Sequence, residues 1–349
     1  MGNTFLKPLT ISFVHDSLDN KPGISKPILI TASDGHDYVL KNNIIEESGR
    51  RFNFDASLMQ ELLVTQIAEK LHVPTPKCVI IKISKDDLAF FSKLRFSGLF
   101  SDGLYYAVEY ISDTTNEIMA VLKAGREQGQ KFVIREWNKI FKNIVNKEAI
   151  AKIFALDFLT MNADRFTNPG NIILKEQSDS RYLISIDYGF CFYSPFWRSP
   201  SNQMPQEKIA LLSENSFDFN KPAAITNYVN VVHRHFMEWS VQHGQLPFGY
   251  GIIFSSLAAV MEPTNTNPFQ QIVSDIQNLS GDNIEAYLNA IPKEWFVDGE
   301  VEKQAYLDFL IRQKFLIKNI LNFVSGMGLF TNLKGGKLEW LKENNSNIG

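Results

Sequence analysis

The sequence has only two cysteines among its 349 residues, Cys78 and Cys191. They are far apart, and neither belongs to a Cys-x-x-Cys or Cys/His ligand spacing. That argues against a zinc site and a disulfide framework. Two isolated thiols fit a reducing compartment, so a cytoplasmic location is expected. Strong charge of either sign is also missing: the formal net charge is −3. No general electrostatic grip on nucleic acid or anionic membrane is expected, although a local basic groove is compatible with that balance. Apolar runs are too short or too interrupted to span a bilayer. The segment Met1 to Phe13 has no basic region followed by an apolar stretch, so it does not read as a secretory signal. Leu6 breaks the myristoylation pattern that Gly2 would open. Internal repeats and low-complexity domains are not seen.

What is present is an ordinary globular composition, 44% hydrophobic and 21% charged. The length exceeds what one small core usually serves, so two lobes are expected. Lys26 to Thr31 is an apolar run, Ser33, Asp34 and Gly35 mark a turn, and Tyr38 to Lys41 resumes; this predicts a hairpin. Asn42 to Asn53 is polar and reads as a loop. Asp55 or Ser57 is a candidate cap for a helix to about Leu71, on which Leu58, Leu62, Ile67, Ala68 and Leu71 recur at helical spacing. Val73-Pro74-Thr75-Pro76 stops it. Val79 to Ile83 and Leu104 to Ile111 read as strands.

Beyond residue 112 the pattern is mostly helical. Glu148 to Met161 is an amphipathic helix, and Ile172 to Leu174 and Tyr182 to Ile186 are short strands around a polar turn. Residues 193–222, rich in Ser, Asn and Pro, read as a long loop. A long helix is predicted over Val301 to Val324. The division is α+β: an N-terminal strand-rich lobe over 1–112, a C-terminal helix-rich lobe over 113–333, and a flexible tail over 334–349. A cleft between two such lobes is a preferred ligand site.

Four pieces carry chemistry, and their order matters more than any one of them. Lys41 ends an apolar strand, where phosphoryl-transfer enzymes place a lysine against the α- and β-phosphates. Glu61 follows on the next helix among Leu58, Leu62 and Leu63; an acid there can pair with the lysine and hold it toward a nucleotide. Glu69 is the alternative, nearer the helix end. Then comes Asn162-Ala163-Asp164-Arg165-Phe166-Thr167-Asn168-Pro169-Gly170-Asn171, a loop between a helix and the strand at Ile172. An aspartate here can orient an attacking hydroxyl and accept its proton, and an asparagine oxygen is a hard neutral ligand for Mg²⁺. The fourth piece is Asp187-Tyr188-Gly189 after an apolar strand. The two intervening strands can pair and return Asp187 to Asn171 as a second Mg²⁺ ligand, with Gly189 allowing a sharp turn.

With these pieces in place, the chain resembles the HipA-like kinases, in particular compact HipA-like domains. The resemblance runs from Gly23-Ile24-Ser25-Lys26-Pro27 through Asp34-Gly35, Lys41, Glu61 and Leu71 to Pro76. It continues through Asp157-Phe158-Leu159, Asp164 and Asp187-Tyr188-Gly189 to Ile291-Pro292-Lys293-Glu294-Trp295 and the helix from Tyr306 to Leu316. A more distant likeness is to phosphatidylinositol kinases, which share the Asp-Arg loop style. The resemblance implies a bilobal protein-kinase-like fold and serine/threonine phosphorylation by ATP. It makes Asp164 the catalytic aspartate and Lys41 and Glu61 a pair. It also implies that Ser25 and Lys26 belong to a phosphate-covering loop, and that Glu109, Tyr110 and Ile111 form a hinge whose backbone meets adenine.

The sequence departs from that pattern in three places. It has no Gly-x-Gly-x-x-Gly loop, which excludes an ordinary eukaryote-type protein kinase. Asn162-Ala163 replaces His-Arg before Asp164, so control through activation-loop phosphorylation is not expected. The usual metal-binding asparagine position is Pro169, which leaves Asn171 as first candidate and Asn168 as second. Three functions share the nucleotide half of the site: a serine/threonine protein kinase, a kinase of a lipid or other small molecule, and a non-catalytic nucleotide-binding pseudokinase. Lys41, Asp164 and Asp187 together favour an enzyme. The phosphoacceptor, protein or small molecule, is not encoded in these motifs. His233 and His235 read as packing or surface residues, and the apolar stripe from Tyr306 to Phe323 as core.

Overall fold

The computed structural model describes residues 7–15, 26–47, 49–115, 117–118, 120–121, 124, 130–198, 206–213, 218–244, 249–261, 267–331 and 338–341. Its first part is strands: β1 (Ile11–Val14), β2 (Ile28–Ala32), β3 (Asp37–Leu40), β4 (Ile44–Glu47), β5 (Arg50–Asn53), β6 (Cys78–Ile83) and β7 (Gly103–Glu109). Five of them form one antiparallel sheet in the order β1-β2-β3-β7-β6. Alternation decides the register: Ile30 and Ala32 of β2 and Tyr38 and Leu40 of β3 are buried, and Ile28 pairs with Leu40. The turn between them uses Gly35 at φ +82°. Asp34 accepts from Tyr38 Oη at 2.8 Å and from the His36 amide at 3.1 Å.

The polar stretch 42–53 is not a loop. It forms the β4–β5 hairpin, in which Glu46 stands opposite Arg51 and Glu47 opposite Arg50. The side chains of Glu46 and Arg51 turn elsewhere, to Lys26 at 3.6 Å and to the Gly98 carbonyl at 3.4 Å. A strand with so little buried surface shows no apolar alternation, which is why the pattern reads as loop.

The helix α1 (Ser57–Lys70) starts without a side-chain cap, so neither Asp55 nor Ser57 plays that part. Ser57 Oγ donates back to the Phe54 carbonyl at 2.8 Å, and Asp55 turns instead to the amides of Trp197 and Arg198. Every residue from Ser57 to Thr65 is buried. A helix covered on all sides must satisfy its polar groups internally. Gln60 Nε2 therefore donates to the Ser194 carbonyl and Tyr306 Oη, each at 3.1 Å, and Thr65 bonds Tyr106 Oη at 2.8 Å. Short helices α2 (Lys85–Phe90) and α3 (Ser92–Ser97) lie between β6 and β7. The strand expected to end at Ile111 ends at Glu109.

Among its described residues the C-terminal region is mostly helical, with one hairpin, β8 (Ile172–Gln177) and β9 (Ser180–Ser185). Its helices are α4 (Gln130–Ile140), α5 (Glu148–Thr160), α6 (Asp164–Thr167), α7 (Gln206–Ser213), α8 (Pro222–Gln242), α9 (Ile252–Val260), α10 (Gln270–Gln277), α11 (Gly281–Asn289) and α12 (Glu300–Gly326). Helix α5 is buried along nearly its whole length and ends at Met161 in the left-handed conformation, φ +54°. Its Phe158 packs edge-to-face against Phe166, Phe236, Tyr250 and Phe254 at 5.0–6.3 Å. Helix α7 falls inside the stretch expected to be loop, while residues 199–205 and 214–217 lie outside the described ones. His233 and His235 pack as expected: His233 Nδ1 bonds Tyr250 Oη at 2.9 Å, and His235 sits edge-on to Tyr193 at 4.9 Å. Most of the expected tail is also outside the described residues, but Leu338 and Trp340 pack on the core.

Candidate active site

Three local devices converge on one cleft. The first is the end of β3. Its pairing with β7 continues one residue further, the Lys41 amide donating to the Tyr106 carbonyl at 3.0 Å. The Lys41 side chain then meets Glu61 of α1, and Nζ hydrogen-bonds Glu61 Oε1. The same ammonium stands 3.4 Å from Asp187 Oδ1. Burial opposes the charge on Lys41, but Asp187 and Glu61 outweigh it and hold the ammonium above its ordinary range.

The second device is the β8–β9 hairpin. Ile172 pairs with Ser185, and the Ile186 amide donates to the Asn171 carbonyl at 3.1 Å. Asn171 and Asp187, remote in sequence, are thereby neighbours. Asp187 itself takes the left-handed conformation, φ +66°. Gly189, expected to supply the sharp turn, is not in that region. A Cβ there would come within 3.3 Å of Ser57 Cβ and 3.4 Å of Glu61 Oε1, so a side chain could enter only by pushing α1 away by a few tenths of an ångström. Contact is completed by the Tyr188 amide donating to Glu61 Oε2 at 3.0 Å. Glu61 therefore ties Lys41 to the Asp187-Tyr188-Gly189 segment, and burial raises its pKa with Lys41 opposing. Burial acts on Asp187 in the same sense, but Lys41 and the hydrogen bond to Glu61 prevail and hold that carboxyl below its ordinary value.

The third device is the loop after α5. Asp164 opens the one-turn helix α6, and its Oδ2 accepts from Asn171 Nδ2 at 2.7 Å and from Asn168 Nδ2 at 3.4 Å. Burial and the nearby Asp187 raise Asp164, and the two asparagines pull the other way. The asparagines differ in setting. Asn168 is exposed, and its Oδ1 is spent on the Gly170 amide at 3.0 Å. Asn171 is buried, and among the described residues its Oδ1 accepts no hydrogen bond.

Lys41, Glu61, Asp164, Asn168, Asn171 and Asp187 all line the cleft, with Asn42, Ile45, Phe54, Leu58 and Phe190 completing its walls. None of the other expected residues that the structure describes is part of its lining. Lys26, at φ +42°, is exposed and pairs with Glu46 of β4 at 3.6 Å, and Ser25 lies outside the described residues. Glu109, Tyr110 and Ile111 do not line the cleft; the Glu109 amide donates to the Lys77 carbonyl at 2.8 Å and the Tyr110 amide to the Asp37 carbonyl at 2.9 Å.

Sequence reasoning missed the supports of the loop. Arg165, next to Asp164, is wholly buried against Asp157. Trp239 of α8 donates from Nε1 to Thr167 Oγ1 at 3.1 Å, stacks on His243 at 4.6 Å and meets Phe190 edge-on at 6.2 Å. Gly251, φ +141°, lies so close that a Cβ would stand 2.2 Å from the Phe166 carbonyl oxygen. The Asp-Arg dipeptide was a visible signal for the first of these; for the other two the sequence carries none.

Among the described residues, no group of three or more His, Cys, Asp or Glu is poised around a metal site, and no helix is long and apolar enough to cross a membrane. One carboxylate and one amide oxygen on the same wall, Asp187 and Asn171, nevertheless suit Mg²⁺, which binds one or two carboxylates together with substrate phosphates and water.

A crystal structure of CtkA, a proinflammatory kinase of Helicobacter pylori, superposes with a TM-score of 0.52 at 11% identity, covering 90% of this chain and 96% of that one. The MAP kinase LmaMPK10 of Leishmania major also matches, with a TM-score of 0.20 at 11% identity over 98% of this chain and 90% of that one. No curated protein sequence matches. The fold is protein-kinase-like, with an N-terminal antiparallel sheet and a helical C-terminal region. A family model for HipA-like kinase matches residues 17–204, more than half of the sequence, and the chain belongs to the HipA-like kinases.

Proposed function

We propose that the chain is an ATP- and Mg²⁺-dependent phosphotransferase that phosphorylates serine or threonine hydroxyls of protein. The observation that carries this reading is the meeting of Asp164, in the loop before the β8–β9 hairpin, and Asp187, just after it, in a cleft with the Lys41–Glu61 pair. Lys41, oriented by Glu61, neutralises charge on the nucleotide phosphates. Asp187 and Asn171 are the residues that would hold Mg²⁺, which supplies charge neutralisation on the phosphates when bound. With the Glu109 and Tyr110 amides taken by backbone carbonyls, Ile111 is the hinge amide left for adenine. The resemblance to the family assigns Ser25 and Lys26 to the cover over the phosphates.

Asp164 faces the acceptor. The hydroxyl oxygen forms a bond to the γ-phosphorus, the bond from that phosphorus to the bridging oxygen breaks, and ADP leaves with the electron pair. The hydroxyl proton passes to Asp164. A carboxylate raised above its ordinary pKa is a better proton acceptor. Family membership implies use of ATP; the hydroxyl of a protein side chain is our assignment.

The test is transfer of label from γ-labelled ATP to the chain itself and to a cell lysate, beside a panel of lipids and small metabolites. Wild type should label protein serine or threonine in a Mg²⁺-dependent way. Asp164→Asn should lose at least about a hundredfold in transfer, as expected for a positioned base, while binding Mg·ATP normally by calorimetry. Label appearing only in a lipid or metabolite overturns the acceptor class. Equal transfer by the variant overturns the role of Asp164.

A further inference from the structure

Arg165 is one of the largest side chains with no solvent exposure in the molecule, and its hydrogen bonds are unusual in where they go. Nε donates to both oxygens of Asp157, at 3.0 and 2.9 Å, and Asp157 is equally buried. Nη1 donates to two backbone carbonyls, those of Asn171 and Ile186, each at 2.6 Å. The guanidinium carbon lies 4.9 Å from the centroid of the Tyr188 ring.

Those two carbonyls are not arbitrary. One belongs to Asn171, and the other belongs to the residue before Asp187. The peptide pairing between them, Ile186 amide to Asn171 carbonyl, is the last rung of the hairpin ladder. A single nitrogen therefore bridges the ends of β8 and β9 at the point where they release Asn171 and Asp187 into the cleft. Arg165 also follows Asp164 directly in the chain, so the catalytic loop is referenced to the same group. Its anchor, Asp157, sits on the buried helix α5 and is further held by Asn162 Nδ2 at 3.2 Å.

We infer that Arg165 is a positioning residue that sets the separation of Asn171 and Asp187 and thereby the affinity of the site for Mg²⁺. The inference rests on the assignment of those two residues as metal ligands in the proposed function. Burying a guanidinium is expensive unless it is paired; here Nε and Nη1 are engaged, while Nη2 is buried without a partner. A purely structural ion pair could be replaced by apolar packing; one nitrogen shared by two carbonyls cannot be replaced without freeing the strands. A lysine keeps the charge but offers no planar fork at that reach.

The experiment measures ATP binding by calorimetry at a series of Mg²⁺ concentrations, with thermal unfolding recorded in parallel. Three proteins are compared: wild type, Arg165→Lys and Asp157→Asn. Asp157→Asn keeps the shape and one acceptor for Arg165, so it serves where the lysine variant fails to fold. Loss of an outer partner of a metal ligand typically lowers metal affinity about 10–100-fold. The half-saturating Mg²⁺ should accordingly rise about 10-fold or more in Arg165→Lys, and by a smaller factor in Asp157→Asn. Binding at saturating Mg²⁺ should approach that of wild type. Hydrogen exchange at the Ile186 amide should accelerate in both variants. A folded variant with lowered thermal stability and an unchanged Mg²⁺ midpoint overturns the inference and leaves a structural ion pair. Wild type binding ATP with no dependence on Mg²⁺ overturns the metal assignment itself, and the inference with it.

Discussion

Asn171 Nδ2 donates to Asp164 Oδ2 at 2.7 Å, while Asn168 reaches the same oxygen only at 3.4 Å. Asn171 directly precedes β8 and is buried; Asn168 is exposed and already spends its carbonyl oxygen on a turn. Asn171→Ala should therefore reduce transfer by at least about tenfold, the scale of losing a held metal ligand or its orienting partner. Asn168→Ala should cost less than that. Loss of the Asn171 donor should also move the acid limb of the pH–rate profile upward, because that bond favours the ionised form of Asp164. Steady-state rates of both variants across pH check this; the opposite ranking would reverse the assignment of the two asparagines.

Lys41 lies between Glu61 and Asp187, and Glu61 acts on the cleft through Lys41 and the Tyr188 amide. Lys41→Met should weaken transfer strongly and Glu61→Gln less. The double variant should fall little below Lys41→Met alone, since residues that act as a unit are not additive. Comparing kcat/KM for the four proteins reads the coupling, and full additivity would show that the pair does not act together.

Gly251→Ala tests the packing beneath the catalytic loop. The added methyl would sit 2.2 Å from the Phe166 carbonyl oxygen in a backbone conformation, φ +141°, that other residues rarely adopt. A loss of about 3 kcal/mol or more in unfolding free energy is expected, measured by denaturant titration. Gly244→Ala, at φ +64° with open space around it, should cost only about 1–2 kcal/mol and serves as the comparison.

Lys208 is buried, and burial pushes its ammonium down to about 7, with Glu302 acting in the opposite sense. An unfolded lysine titrates near ~10.4. Between those values the unfolded chain binds the extra proton, so stability at this site rises with pH from about 7 to about 10. Lys208→Met should flatten that rise and be more stable than wild type at pH 7, offset in part by the lost hydrogen bond from Nζ to the Ser194 carbonyl at 2.6 Å. Unfolding free energies measured from pH 7 to 10 check it. A slope that survives the substitution would place its origin elsewhere.

The order of the functional residues was legible without coordinates because each sits on a local device. Turn residues, apolar alternation and helical spacing act over a few neighbours, and they placed Lys41 at a strand end, Glu61 on a helix and Asp164, Asn171 and Asp187 around a hairpin. The β4–β5 hairpin and helix α7 escaped for the same reason, since little in their own pattern distinguishes them from loops. Tertiary structure alone decided the rest. Asp55 reads as a helix cap but serves the amides of Trp197 and Arg198, and Gly189 reads as a turn but sits where Ser57 and Glu61 leave little room for a side chain. Arg165 reads as part of a loop but holds two strands. Each of these depends on groups brought together by packing, often from more than a hundred residues away, and no periodicity in the chain records which buried donor will meet which distant acceptor.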